Sequence, residues 1–289
     1  MNFLNIFAVF LLVISVSCQT VQNISIEDGT DEAGQSCFRI TTPAATYFYQ
    51  KEAGGFSGIL DREGIDWIKF APDSAESYPA SATSSYRGLP NLVFGSDDGG
   101  AGHPGFRKCD SRKLSGNRIR SVSKSGKWQW TWTFKTDHAV LEMEKVDSSN
   151  PYWFLYEGTI AGRFAPGEQY WGADTGGPRF SRPDYFAGDP AYGHWQWLYT
   201  GDKRRDRIFF LAQKEPDELI DTFSYLGNNP DGIHAPDGMI VSGFGRGANA
   251  TPLLRSENQS FIIGFIGKKI LDEQDHIKLA AEIQRIISQ

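Results

Sequence analysis

The stretch Trp128-Gln-Trp130-Thr-Trp132-Thr-Phe134 alternates aromatic and polar residues with a period of two. Such alternation marks a strand with one buried face, and it puts Trp128, Trp130, Trp132 and Phe134 together on that face. Further strand signals fall at Ala45–Gln50, Trp67–Phe70, Ile119–Ser123, Ala139–Lys145, Trp153–Tyr156, Trp195–Tyr199, Arg207–Ala212, Gly238–Phe244 and Ser260–Ile266. Turn-forming clusters separate them, among them Glu52-Ala-Gly-Gly55, Lys124-Ser-Gly-Lys127 and Asp147-Ser-Ser-Asn-Pro151. Short strands joined by polar turns predict an all-β fold, a single β-sandwich or jelly-roll-like domain. Helix is expected at the end, over Asp272–Ile287, with Asp272 as its cap. Its apolar stripe reads as Ile277, Ala280, Ala281, Ile283 (or Gln284) and Ile287.

Two connections exceed what hairpins need, roughly Ala71–Gly105 and Phe164–Gly193, and both are rich in Gly, Pro, Asp and aromatic residues. Ordered loops of that length usually carry function.

At the N-terminus, the apolar run Ile6–Ile14 is too short to span a bilayer as a helix but has the length of a signal-peptide core. Ser15-Val16-Ser17-Cys18 follows it and resembles a bacterial lipobox. Ser15 stands where that pattern has Leu or Val, and no Lys or Arg precedes the run. Residues 1–17 are therefore expected to be a signal peptide, 18–36 a polar tether lipidated at Cys18, and 37–289 one β-rich domain ending in the helix. Ordinary cleavage and a retained anchor are the alternatives. All three export the protein: a lipid anchor would hold it to the cell envelope, with the outer membrane as the expected site, and cleavage would leave it periplasmic. Cys37 and Cys109 would then remain, either as one disulfide closing a long loop or as two separate buried thiols.

Composition narrows the function classes. With 35 acidic and 29 basic residues the net charge is −6, which argues against nucleic acid as a partner. A chain 40% hydrophobic and 13% aromatic has the material for a packed core, so intrinsic disorder is excluded. The 31 Gly and 14 Pro would interrupt helices throughout, which excludes a helical bundle.

Five histidines occupy different settings. His103 sits in the glycine-rich Gly99–Arg107, His194 at the entry of an aromatic strand, and His234 in another tight loop; His138 reads as turn surface and His276 as the solvated face of the helix. None has metal-site spacing, and no phosphate loop, dinucleotide fingerprint or nucleophile elbow occurs, so no cofactor is implied. Asp97, Asp98 and Asp202 could contribute to a structural calcium site, although EF-hand spacing is absent. Glu157 ends a strand next to Tyr156, a carboxylate beside a phenol that suits acid–base work. Arg87 and Arg107 bracket the first long loop and could pair with carboxylates or sulfates. Trp171 in the second loop and Trp195 beside His194 offer flat faces on which sugar rings stack; Asp174, Arg179 and Arg182 accompany them.

Tyr86-Arg-Gly-Leu-Pro-Asn-Leu-Val93, His103-Pro-Gly-Phe106, Trp128-Gln-Trp130, Tyr152-Trp-Phe-Leu-Tyr-Glu-Gly158 and Pro236-Asp-Gly-Met239 together resemble a group of secreted bacterial proteins of polysaccharide degradation, the ulvan oligosaccharide dehydratase type. The resemblance covers most of Cys37–Ile266. It implies an elimination enzyme, a dehydratase or lyase, acting on uronic-acid-containing and sulfated oligosaccharides. Such a reaction needs a base next to the carboxylate, donors that stabilise the enolate-like anion, and an acid for the departing oxygen. The candidates are His103 or His194 as base, Tyr156 or Glu157 as acid, Arg87, Asn91 and Arg107 on the carboxylate, and Trp171 and Trp195 as stacking platforms. Two other classes stay open: a non-catalytic glycan-binding lipoprotein, and a glycoside hydrolase pairing Glu157 with Asp174 or Asp202.

Overall fold

The structure is a computed structural model that describes residues 24–72, 85–183, 191–227 and 238–289. The proposed signal peptide, Cys18 and His234 lie outside the described residues. The chain is mostly β-sheet with one C-terminal helix, as the alternation predicts.

The central layer is an antiparallel nine-stranded sheet. Its spatial order is Gly176–Arg179, Gln169–Ala173, Trp197–Asp202, Ile208–Gln213, Ser260–Ile266, His138–Lys145, Gln129–Phe134, Arg118–Ser123 and Cys109–Lys113. Two four-stranded antiparallel sheets pack on one of its faces. The first is a meander of Ser25–Thr30, Ser36–Thr41, Ala45–Gln50 and Gly55–Asp61. It meets the aromatic strand through Phe56, whose ring lies 5.0 Å from that of Trp132. The second runs Ala191–Gly193, Asp221–Leu226, Met239–Phe244 and Phe154–Gly158 in spatial order. Phe154 stacks on Phe261 of the central sheet at 4.3 Å and 9°.

The helix Glu273–Ile287 covers the opposite face of the central sheet. That explains why Ile208-Phe-Phe-Leu-Ala212 is apolar without alternation: Phe209 and Leu211 enter the inter-sheet core, while Ile208, Phe210 and Ala212 meet the helix. Asp272 caps the helix, its carboxylate accepting from the Asp275 amide at 2.9 Å.

Several expectations need correction. Helix contacts run through His276, Leu279, Ile283, Ile286 and Ile287, so the apolar stripe is offset and Ile277 is exposed. His276 is buried against Trp197 and Tyr199 rather than solvated. His138 is buried too, 2.7 Å from Asp137 through its Nδ1. Trp67–Phe70 is not a strand, although the Trp67 amide donates to the Ile59 carbonyl at 2.9 Å. The polar segment expected to be a tether contains the strand Ser25–Thr30, paired along Ser36–Thr41. Within the stretch expected to be a long loop, Phe164–Gly193, the segments Gln169–Ala173 and Gly176–Arg179 form a hairpin at the edge of the central sheet. Cys37 and Cys109 are free, buried thiols, so the disulfide is not formed. Each is packed into the core, and burial pushes their pKa values up to about 11 and about 12.

Candidate functional site

The second four-stranded sheet positions the site. In its edge strand, alternation sends Phe154 and Tyr156 into the inter-sheet core and leaves Trp153 and Glu157 on the other face. The loop Gly88–Leu92 lies along this edge like an irregular strand. Gly88 and Glu157 exchange both backbone hydrogen bonds, at 2.7 and 2.9 Å, and the Leu155 amide donates to the Pro90 carbonyl at 2.8 Å. A Cβ at Gly88 would stand 2.4 Å from the Pro104 ring, so the close approach of the two loop segments requires glycine there. Asn91 then adopts a left-handed conformation, φ 49°, which asparagine tolerates better than most residues.

These elements enclose a cleft of about 330 Å³. Its walls are Tyr86, Phe94, Phe106 and Trp153, and its polar groups are Asn91, His103, Glu157 and Arg246. Tyr86, Phe94 and Phe106 are exposed, while Trp153 is buried with its ring stacked on Phe94 at 4.9 Å. The Asn91 carbonyl accepts from the Trp153 indole N–H, and its side-chain amide donates to Glu157. His103 Nε2 stands 3.9 Å from Glu157 Oε2. The two imidazole nitrogens also face the Pro104 carbonyl at 2.8 Å and the Tyr86 carbonyl at 2.9 Å. The Arg246 guanidinium lies 4.9 Å from the centre of the Trp153 ring.

Burial sets the protonation states. It drives the Glu157 pKa up to about 7, against the opposing pull of Arg246 and the Asn91 hydrogen bond. It also lowers that of His103, despite the two carbonyls that favour the imidazolium. Arg246 is lowered to about 10 by burial and remains a cation. At neutral pH the cleft therefore holds an imidazole driven toward its neutral form, with one proton for its two carbonyl partners and so one nitrogen able to accept, beside a carboxyl that is half protonated and able to donate.

The predicted site residues separate. His103, Glu157 and Asn91 come together in this cleft. Tyr156 does not: its hydroxyl donates to the Trp67 carbonyl inside the core, because neighbouring strand residues face opposite ways. Arg87 is 1% exposed and donates to the Gly238 carbonyl at 3.1 Å, so it braces the scaffold instead of clamping a ligand. Arg107 points into solvent and pairs with Glu52 at 3.3 Å. His194, Trp171 and Trp195 line a separate, shallower groove at the opposite edge strand of the same sheet. Trp171 cannot serve as a stacking platform, since Phe223 covers one face at 4.1 Å and Arg179 the other at 4.4 Å. Trp195 is 5% exposed, its indole N–H held by Thr175 at 3.1 Å.

The paired-carboxylate reading loses its second member. Asp202 is fully buried and bound by Arg204 at 2.6 Å, and Asp174 accepts from the Gln196 amide at 2.8 Å. Among the described residues lining the cleft, Glu157 is the one carboxylate. The calcium candidates fare likewise: Asp98 is tied to Ser123 and Ser125, away from Asp202 and its arginine. Among the described residues no group of three acidic, His or Cys side chains is placed to hold a metal.

Sequence reasoning missed Arg246, Tyr86, Phe94, Phe106 and Trp153. Arg246 carried a usable signal, a lone cation between two glycines directly after an apolar strand.

No family model matches the sequence, and no curated protein is significantly similar to it. Among solved structures, a galactose mutarotase-like protein from Clostridium acetobutylicum aligns with 84% of this chain and 98% of its own, at 9% identity and a TM-score of 0.44. A galactose mutarotase-like protein from Lactobacillus casei aligns with 83% of this chain and 99% of its own, at 8% identity and a TM-score of 0.41. The 4-alpha-glucanotransferase from Thermococcus litoralis aligns with 86% of this chain, which spans 40% of that protein, at 7% identity and a TM-score of 0.40. Scores this low assign neither a family nor an activity.

Proposed function

We propose that the protein is a carbohydrate-active elimination enzyme, a dehydratase or lyase acting on uronic-acid-containing oligosaccharides. The observation that carries the reading is the His103–Glu157 pair, 3.9 Å apart in an aromatic-walled cleft with a buried arginine. Elimination next to a uronate carboxylate needs a proton acceptor and a proton donor at the same moment. Neutral His103 takes the proton from the carbon adjacent to the carboxylate. Protonated Glu157 delivers one to the departing oxygen, so the C–O bond breaks as the C=C bond forms. Arg246 holds the carboxylate and stabilises the charge that develops on it, with Asn91 keeping Glu157 in place. Tyr86, Phe94 and Phe106 supply exposed ring faces for sugar stacking. The N-terminal reading belongs with this activity: export and lipidation at Cys18 would place the protein on the membrane, where it could meet such oligosaccharides.

A second reading, a non-catalytic glycan-binding module, is favoured by the engagement of both His103 nitrogens with backbone carbonyls. Incubation of the purified protein with a panel of acidic oligosaccharides, read by mass spectrometry, separates the two. Dehydration removes the mass of one water, a lyase split conserves total mass, and hydrolysis adds one water. Unchanged masses with measurable binding would establish the binding module instead.

A further inference from the structure

The groove at the far edge of the second four-stranded sheet contains a cation that the proposed chemistry does not use. Arg179 is the cross-strand partner of Trp171, which brings both side chains onto one face. Its guanidinium carbon lies over the indole, 4.4 Å from the ring centre, and the indole in turn lies on Phe223 at 4.1 Å and 12°. Arg179 is thus the outermost layer of a three-part stack. No carboxylate lies within ion-pair range of it among the described residues. A guanidinium held by its face keeps its N–H edge for a planar or tetrahedral oxyanion.

Two other groups line the same groove. Tyr192 is exposed, and His194 Nδ1 stands 3.2 Å from the Leu219 carbonyl. A carbonyl only accepts, so Nδ1 carries the proton and Nε2 is left for another partner. The cleft borders the edge strand Phe154–Gly158 and the groove the opposite edge strand, Ala191–Gly193, of the same four-stranded sheet. Three inter-strand steps separate those two edge strands, about 14 Å.

We propose that this groove is a second anion-recognising subsite, in which Arg179 holds a carboxylate or sulfate on a sugar unit remote from the reacting one. The inference rests on the elimination reading above and extends it: the preferred ligand carries at least two anionic groups, one at Arg246 and one at Arg179, and is an oligosaccharide.

Calorimetric titration of the wild type and Arg179→Gln with tetragalacturonate, a chondroitin sulfate tetrasaccharide, galacturonic acid and maltotetraose tests it. Loss of one charge-assisted, two-pronged contact should weaken binding of at least one anionic tetrasaccharide about tenfold or more. Galacturonic acid, which reaches the cleft alone, should bind both proteins equally, and maltotetraose should not distinguish them. Arg179→Lys should recover part of the loss, and an unchanged near-ultraviolet circular dichroism spectrum shows that the stack is intact. Equal affinity of wild type and Arg179→Gln for both anionic tetrasaccharides overturns the subsite, whether or not the enzyme turns them over. Arg179-dependent binding without any turnover leaves the subsite standing and removes the elimination reading. Absence of wild-type binding to both overturns the two together.

Discussion

His103 Nε2 lies 3.9 Å from Glu157 Oε2, and each side chain has a partner far from it in sequence, Tyr86 for the imidazole and Asn91 for the carboxyl. The imidazole comes from the glycine-rich loop and rests on the Tyr86 and Pro104 carbonyls; the carboxyl comes from a sheet edge and rests on Asn91. If this pair performs the proton transfers, Glu157→Gln and His103→Ala should each lower turnover of the responsive oligosaccharide by a factor of about 10²–10⁴ while leaving the fold intact. His194→Ala, in the second groove, should act on KM for longer oligosaccharides and spare the proton transfers, so that kcat stays within about twofold. Steady-state kinetics on the three variants checks this, and normal turnover by Glu157→Gln would sink the assignment.

The protonation states give the reaction a defined pH window. The acid must be protonated, so the rate should fall as pH rises through about 7, the value to which burial lifts Glu157. The base must be neutral, so the rate should also fall as pH drops through the His103 pKa, which burial places below its ordinary value of 6.5. A bell-shaped profile of kcat/KM with its alkaline limb near neutrality is expected. A flat profile from pH 7 to about 9 is incompatible with Glu157 as the acid.

The same shift makes Glu157 a cost to the fold above neutral pH. Its pKa is raised from 4.5 in the unfolded chain to about 7 in the native protein. Between those values the native state keeps a proton that the unfolded state has lost, so stability falls as pH rises across the window. At about 1.4 kcal/mol per pKa unit, the effect amounts to roughly 3 kcal/mol at pH 8 relative to pH 4. Asp221 is raised to about 7 by burial as well, and acts in the same direction. Glu157→Gln should therefore match the wild type in urea denaturation at pH 4 and exceed it at pH 8. Equal midpoints for the two proteins at pH 8 would contradict a buried, reluctantly ionised carboxyl.

Local pattern carried the sheet architecture but not the site. Trp128, Trp130 and Trp132 are fully buried on the face that their alternation assigns them, and Ala45–Gln50 and Ser260–Ile266 have the predicted bounds. Asp221–Leu226 escaped notice because its Asp221, Thr222 and Ser224 are polar yet buried: Asp221 accepts from the Trp195 and Gly245 amides, and Thr222 bonds Ser224. Period-two geometry already separated Tyr156 from Glu157, whereas the burial of Arg87 depends on a carbonyl 151 residues away. Long-range pairing of this kind has no signature in sequence spacing. Trp171 follows the same logic: its spacing reads as a loop platform because it reveals neither the hairpin that brings Arg179 onto one face nor the strand that brings Phe223 onto the other.

Thiol chemistry offers an independent check on the core. Cys37 and Cys109 are buried and free, with pKa values raised to about 11 and about 12, so neither forms appreciable thiolate at neutral pH. Both should resist alkylation in the native protein and react fully in denaturant without prior reduction. Mass spectrometry after alkylation under the two conditions reads the result. Failure of Cys37 and Cys109 to label in denaturant until a reductant is added would restore the disulfide.

The helix contacts make the last prediction quantitative. Leu279 and Ile283 are fully buried between the helix and the central sheet, in a cluster with Tyr170, Trp197, Phe210 and Ile262. Ile277, two residues before Leu279, is 52% exposed. Truncating a buried aliphatic side chain removes its transfer free energy and leaves a cavity, which costs about 2–5 kcal/mol. Leu279→Ala and Ile283→Ala should each lose that much, while Ile277→Ala should stay within about 0.5 kcal/mol of the wild type. Chemical denaturation of the three variants decides which face of the helix is packed. A large loss at Ile277 with little at Leu279 would return the helix to the phase read from the apolar residues alone. The reason to expect otherwise is that the second face of the central sheet presents Trp197, Tyr199 and Phe210, large rings that pack in one cluster with Leu279 and Ile283, the first two also lying 5.6 and 5.9 Å from the His276 ring.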